Sequence, residues 1–355
     1  MFNSTEVTLV TFKAIMVAAS LVGNSLVCFL VIRNPDMRTA FNYTLVNLAG
    51  ADILFTVFFF AHFISSHHLS SPYEMPGNAI CMVFRKLTWL GSYSSVFTMI
   101  VIARERYYTI VHPRGNKGKL TMHNLKIIIP ITWSLSMLIS IRGFVLQSFS
   151  GNVPLKSCNH NWTDRKMYLA NFYVWGFFVS GSVVLMIWLY SIVVYTLWFK
   201  RNKDNELTYQ QQGVVKVRKR VTLMVLIVTT TFEICWITDT IIHLLQNAGI
   251  FPRDSYAIPI AHTLILFSSA INPFIYSLIS QRFREKMKGM LCCGLRSSRR
   301  SVHTAESAFV MQMPYSVSHP LQPAEESLEM TSGSLCTAPS LQSSASFSKA
   351  TVTRT

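Results

Sequence analysis

The chain has 355 residues, half of them hydrophobic and only 14% charged, with a mean hydropathy of +0.34. About a quarter charged is usual for soluble domains, so a soluble two-domain reading, a largely disordered chain and a disulfide-stapled secreted module are excluded. The net charge of +16 suggests nucleic acid only until the positions of the charges are considered.

A helix that crosses the hydrocarbon of a bilayer needs about 20 mostly apolar residues. Seven stretches meet that length: 10–32, 43–64, 82–110, 125–147, 169–198, 220–246 and 257–279. Barrel strands would be shorter and would alternate apolar with polar residues, and none of the seven alternates. The expected fold is an all-α membrane protein, a seven-helix bundle over 10–280. A nine-residue N-terminal segment precedes it, too short for a cleavable signal sequence. A short amphipathic helix at the membrane surface follows over 281–293, then a Ser/Thr-rich disordered tail over 294–355. No internal repeat points to a transporter built from two related halves.

Lys and Arg accumulate in cytoplasmic loops, so they orient the bundle. Of the 32 basic residues, 24 fall in one set of loops and in the C-terminal region. That set runs from Arg33 and Arg38 through Arg104–Lys126 and Lys200–Arg220 to the run beginning at Arg282. The N-terminus is therefore expected outside and the C-terminus inside, which accounts for the excess charge without a nucleic-acid partner. Asn3 and Asn161 head glycosylation sequons on the outer side.

Cys81, at the outer start of the third helix, and Cys158, in the long outer loop, both face an oxidising compartment. A disulfide pinning that loop over the bundle is the expected reading, two nearby free thiols the other. Cys292 and Cys293 follow the basic amphipathic segment and suit reversible acylation, which anchors it to lipid.

Charged groups at bilayer depth are costly, which makes them functional candidates. Asp52 lies within its helix, and Asn24, Ser95, Ser269 and Asn272 from three other helices could converge on it. Such a set can hold water or a monovalent cation, or form a hydrogen-bonded packing knot. Glu105-Arg106-Tyr107 closes the third helix and should tuck Arg106 under the bundle. Pro273 should free a carbonyl for Asn272 and nearby waters. On the helical face one turn above Trp236 lie Asp239, Thr240 and His243, with Thr88 and Ser92 across the bundle and His262 on the seventh helix. Asp239 could anchor a cationic ligand group, or pair between helices with Arg142 or His262.

In this order the residues carry a resemblance. The chain resembles a rhodopsin-like (class A) G-protein-coupled receptor over roughly 10–293. It does so through Gly23-Asn24-Ser25, Asn47–Asp52, Cys81, Glu105-Arg106-Tyr107, Trp133, Tyr190, Phe232, Cys235-Trp236 and Asn272–Tyr276. The resemblance implies a receptor, and no enzyme, that binds an extracellular ligand and activates a heterotrimeric G protein. It also implies coupling through Glu105, Arg106, Tyr107, Tyr190 and Tyr276, and a switch made of Phe232, Trp236, Asn272 and Pro273. Asn24, Asp52, Ser95, Ser269 and Asn272 would line an allosteric Na+ site, and the tail would meet a receptor kinase and arrestin.

Receptors for biogenic amines carry an aspartate where this chain has Thr88, and a retinal-binding relative would need a lysine on the seventh helix, which has none. A small peptide, as in neuropeptide receptors, is the expected ligand. Thr238 and Ser182 stand where the family has helix-kinking prolines, and Arg218, Lys219 and Arg220 leave no acid to lock Arg106. Appreciable basal signalling follows, and a non-coupling or constitutively active receptor is the rival reading. A transporter would want more intramembrane carboxylates than Asp52 and Glu233.

Overall fold

The computed structural model describes residues 4–68, 75–113, 118–149, 165–200, 209–250 and 256–290. Seven long helices follow one another: α1 (Ser4–Arg33), α2 (Ala40–His68), α3 (Met75–Val111), α4 (Met122–Phe149), α5 (Arg165–Val194), α6 (Tyr209–Asn247) and α7 (Ala257–Ile279). A short α8 covers 281–290, and no strand occurs among the described residues. α2 packs chiefly on α3 and α6 on α7, while α1 bridges α2 and α7. Residues Met1–Met287 form one compact unit, and a second begins at Lys288.

Six of the helices contain apolar spans of 20 to 36 residues. α3 falls short because Arg85 and Lys86 enter it at one end and Arg104, Glu105 and Arg106 at the other. The uncharged run between them, 87–103, is near the minimum for a crossing. Its charges lie where a spanning helix meets the two interfaces, so α3 is the seventh crossing.

The helices outrun the expected spans. α1 begins at Ser4 instead of residue 10, α3 at Met75 instead of 82, and α6 at Tyr209 instead of 220. Apolarity marks only the part of a helix inside hydrocarbon, whereas its hydrogen bonds continue into the polar layer. In α1, Thr8 and Thr11 donate back to the carbonyls of Ser4 and Val7. Outward faces remain apolar: Phe177, Leu278, Val22 and Leu138 are all exposed by 65% or more. A soluble protein rarely presents apolar surface so widely; lipid is the solvent of this face, and the protein is a multi-pass membrane protein.

Two glycines set the closest helix contacts. A Cβ on Gly91 of α3 would lie 2.7 Å from the backbone nitrogen of Phe55 and 2.9 Å from the carbonyl oxygen of Ala51 on α2. A Cβ on Gly23 would lie 2.8 Å from Cγ of Pro273. Small residues are what allow membrane helices to approach so closely.

At the two positions that lack the family's prolines, the helices keep a hydroxyl bond to their own backbone. Thr238 Oγ1 donates to the Ile234 carbonyl (2.7 Å) and Ser182 Oγ to that of Val179 (2.7 Å). α6 runs unbroken for 39 residues. α5 instead gives way at its far end, where Tyr195–Lys200 widens into a π-helix, an irregularity that recurs at functional sites. Cys158, Asn3, Asn161, Cys292 and Cys293 lie outside the described residues, as do the tail and the side chains of Cys81 and Arg142.

Candidate functional site

Asp52 of α2 is 1% exposed. Ser95 Oγ of α3 and Ser269 Oγ of α7 donate to its Oδ1 at 3.1 and 3.3 Å, and Asn272 Nδ2 donates to Oδ2 at 2.8 Å. Three of the four residues expected around it therefore touch the carboxylate. Asn24 does not: its Nδ2 donates to the carbonyls of Ser20 (3.0 Å) and Ser269 (3.1 Å).

The second of those bonds has a clear cause. Pro273 has no N–H to give the carbonyl four residues earlier, which is that of Ser269. The freed oxygen was expected to be met by Asn272 and water; α1 satisfies it instead, through Asn24, beside the Gly23–Pro273 contact. Asn272 is committed to Asp52 by its nitrogen, and its Oδ1 is buried without a hydrogen-bond partner. The Asp52 carboxylate and the Ser95 and Ser269 hydroxyls bring oxygen atoms from three helices together, the donor type that hard cations take, beside the Asn272 amide nitrogen.

At the end of α3, Arg106 is 6% exposed and ion-paired with the adjacent Glu105. Its guanidinium lies 4.1 Å from the ring centroid of Phe41 on α2. Glu105 is also held by Thr109 Oγ1, 2.8 Å from Oε1. Among the described residues, α6 supplies no acid to this pair. Tyr107 points elsewhere, stacking near Trp188. Tyr190 OH is 3.2 Å from Thr229 Oγ1, and the hydroxyl of Tyr276 is buried without a partner, so the two tyrosines do not meet here.

Trp236 sits in an aromatic cluster, with ring centroids 5.7 Å from Phe232, 5.1 Å from Trp175 and 6.0 Å from Trp89. Sequence reading found Phe232 but missed Trp89, Tyr93, Trp175 and Phe178. The signal was available in their helical spacing, Trp89/Tyr93 on α3 and Trp175/Phe178 on α5. Trp89 stands 17 residues, about 25 Å, along α3 from Arg106.

Beyond Trp236, Asp239 is 2% exposed. Its Oδ1 lies 3.7 Å from His243 Nε2 and 3.9 Å from His262 Nε2, and has no hydrogen-bond partner. Of the two partners weighed for Asp239, His262 faces it at a distance beyond a hydrogen bond, and the side chain of Arg142 lies outside the described residues. Thr240, Thr88 and Ser92 turn their hydroxyls onto the carbonyls of Trp236, Phe84 and Thr88 respectively. Of the expected ligand residues, then, only Asp239, His243 and His262 form one cluster. Glu233, for which sequence named no partner, has its Oε1 buried and unpartnered.

Two further features escaped the sequence reading. Lys13 of α1 is 8% exposed with its ammonium 4.8 Å from the Phe63 ring centroid. Asn47 ties three helices, accepting from Trp133 Nε1 at 2.9 Å and donating to Thr98 Oγ1 at 2.8 Å.

Comparison with known proteins agrees with this geometry. The chain is 29% identical over 287 residues to neuropeptide FF receptor 1 of Rattus norvegicus, covering 74% of this chain and 65% of the relative, just under two thirds of its length. It is 30% identical over 286 residues to the substance-P receptor of Aquarana catesbeiana, covering 76% and 67%. Its fold is similar to that of squid rhodopsin, with a TM-score of 0.64 at 22% identity over 81% of this chain and 85% of the other. The profile of the 7 transmembrane receptor (rhodopsin family) matches residues 23–276, from the glycine that seats Pro273 to the buried Tyr276. A bundle with Asp52 knotted at its centre, Arg106 buried at one end and an aromatic cluster on the other side of Asp52 belongs to that family of receptors, which are not enzymes.

Proposed function

We propose that the protein is a plasma-membrane receptor that binds a short peptide and activates a heterotrimeric G protein. Its N-terminus would lie outside and its C-terminus inside. The carrying observation is Arg106, buried and held by its neighbour Glu105 and the Phe41 ring, with no acid on α6 beside it among the described residues. A G protein that displaces this local restraint, which ties Arg106 to its own helix and to Phe41, meets a cation already at the mouth of the bundle. The relatives named for neuropeptide FF and substance P support a peptide as ligand. Asp239, with a buried oxygen that nothing satisfies, supports a cationic group on that peptide.

In this reading the Phe232–Trp236 pair repacks as α6 moves, and Tyr190 exchanges Thr229 for Tyr276. Asp52, Ser95, Ser269 and Asn272 would hold Na+ in the resting state, with Asn24 acting only through Ser269. A Cys81–Cys158 disulfide, glycans on Asn3 and Asn161, lipid on Cys292 and Cys293, and a tail read by kinase and arrestin belong to the same proposal.

The test is GTPγS binding in membranes that express the chain. Exchange above that of receptor-free membranes is expected without ligand, rising with the matching peptide. Arg106→Ala should return it to background with surface expression intact. The non-coupling reading is favoured by α6 running unbroken for 39 residues where the family has a kinking proline, and it wins if a peptide binds but exchange never rises.

A further inference from the structure

We infer that Asp239 and His243 of α6 and His262 of α7 form a binding site for a zinc ion that ties the two helices together. One donor atom from each residue lies within 4.8 Å of the other two. The separations from Asp239 Oδ1 to the histidine Nε2 atoms, 3.7 and 3.9 Å, are too long for hydrogen bonds. They are close to the spacing around a metal: zinc bonds of about 2.1 Å in tetrahedral array put neighbouring ligand atoms roughly 3.4 Å apart. A contraction of at most about 1.4 Å, by side-chain rotation, closes the site.

A second observation makes the cluster more than three polar residues in proximity. Asp239 Oδ1 is buried and has no hydrogen-bond partner, and it is the atom that faces both histidines. A bound metal gives that oxygen the partner it lacks. The histidine side chains are 27% and 41% exposed, so an ion has a way in while the carboxylate stays dry. Phe59 packs edge-on against the His262 ring and Phe172 lies against that of His243, which limits how far either imidazole can swing.

Two imidazoles and one carboxylate select against Mg2+ and Ca2+, which take oxygen donors, and suit zinc with a fourth position left open for water or a ligand atom. The charges of Lys13 and Arg85 act on His262 and oppose a dication, which moderates the affinity without removing the donors. Zinc and a cationic group of the peptide would compete for Asp239 Oδ1, but zinc binding needs only the three side chains, so its test stands apart from the peptide and G-protein reading.

The experiment uses the full chain, purified in detergent and stripped of metal. CoCl2 titration should give the visible absorption of four-coordinate cobalt with histidine ligands, displaced by ZnCl2, and zinc should raise the thermal unfolding temperature. His243→Gln, His262→Gln and Asp239→Asn should each weaken zinc binding at least tenfold and abolish the thermal shift. His112→Gln, outside the cluster, should change neither. His243 is partly exposed, so its variant keeps the test if Asp239→Asn does not fold. Unchanged zinc affinity in the three variants, or no binding in the parent chain, overturns the site, whatever the GTPγS assay finds.

Discussion

Two aspartates lie in the interior of this bundle, and they are treated in opposite ways. Asp52 accepts three hydrogen bonds from α3 and α7, divided between both of its oxygens. Asp239 is equally buried, yet one of its oxygens faces two histidines that stop 3.7 and 3.9 Å short. A satisfied carboxylate fastens helices to each other, whereas an unsatisfied one leaves its burial cost to be offset by something that arrives. The same residue type thus serves as a joint at one depth and as a receiving group at another.

Removing the joint should have the largest effect. Asp52→Ala leaves the Ser95, Ser269 and Asn272 donors without an acceptor, and it should destabilise the bundle by about 3 kcal/mol. Asp239→Ala orphans no hydrogen-bond donor among the described residues and removes a poorly solvated carboxylate, so its effect should be near zero or mildly stabilising. Thermal unfolding of the two metal-free variants in the same detergent measures the contrast. Equal losses would end the distinction between the two sites.

Much of the satisfied site could be read from residue types: Asp52, Ser95, Ser269 and Asn272 were legible because polar residues in apolar helices have few other uses. The role of Asn24 was not, because it depends on which carbonyl Pro273 frees and on Gly23 letting the ring close. Both are facts of the α1–α7 approach rather than of either helix alone. The aromatic cluster was missed for a related reason: Trp89 and Trp175 look like ordinary lipid-facing or core residues until α3 and α5 are set beside Trp236. Spans, by contrast, were legible to within the polar turns at their ends, since hydropathy reports hydrocarbon and not hydrogen bonds. Asp239, His243 and His262 were named from helical spacing, but the empty distance between them needed coordinates.

A middle-sized effect is expected at Gly91, which holds α2 and α3 close enough for Ser95 to reach Asp52. In Gly91→Ala the new methyl meets backbone of Phe55 and Ala51 at 2.7 and 2.9 Å, atoms that cannot rotate away. Overpacking of this kind costs about 1–3 kcal/mol, and the helices must separate to relieve it. The variant should unfold at lower temperature and share part of the Asp52→Ala phenotype, so the double variant should lose less than the two single losses combined. Full additivity would place Gly91 outside the joint.

The smallest effect should come from a carboxylate that water already solvates. Asp36, in the 3-10 turn Pro35–Met37 between α1 and α2, meets Lys286 of α8 at 3.0 Å, with the two side chains 60% and 35% exposed. The hydrogen bond from Lys286 lowers the Asp36 carboxyl below its ordinary value of 3.8. A group depressed in the folded state stabilises above its unfolded pKa, and that contribution disappears as pH falls through the depressed value. Exposed pairs are weak and screened by salt, however. Asp36→Asn should therefore leave the unfolding temperature almost unchanged at pH 7, and what small difference exists should vanish in high salt or as pH falls through the depressed value. A loss approaching that of Asp52→Ala would mean that exposure does not grade these carboxylates, and that the contrast between Asp52 and Asp239 has some other origin.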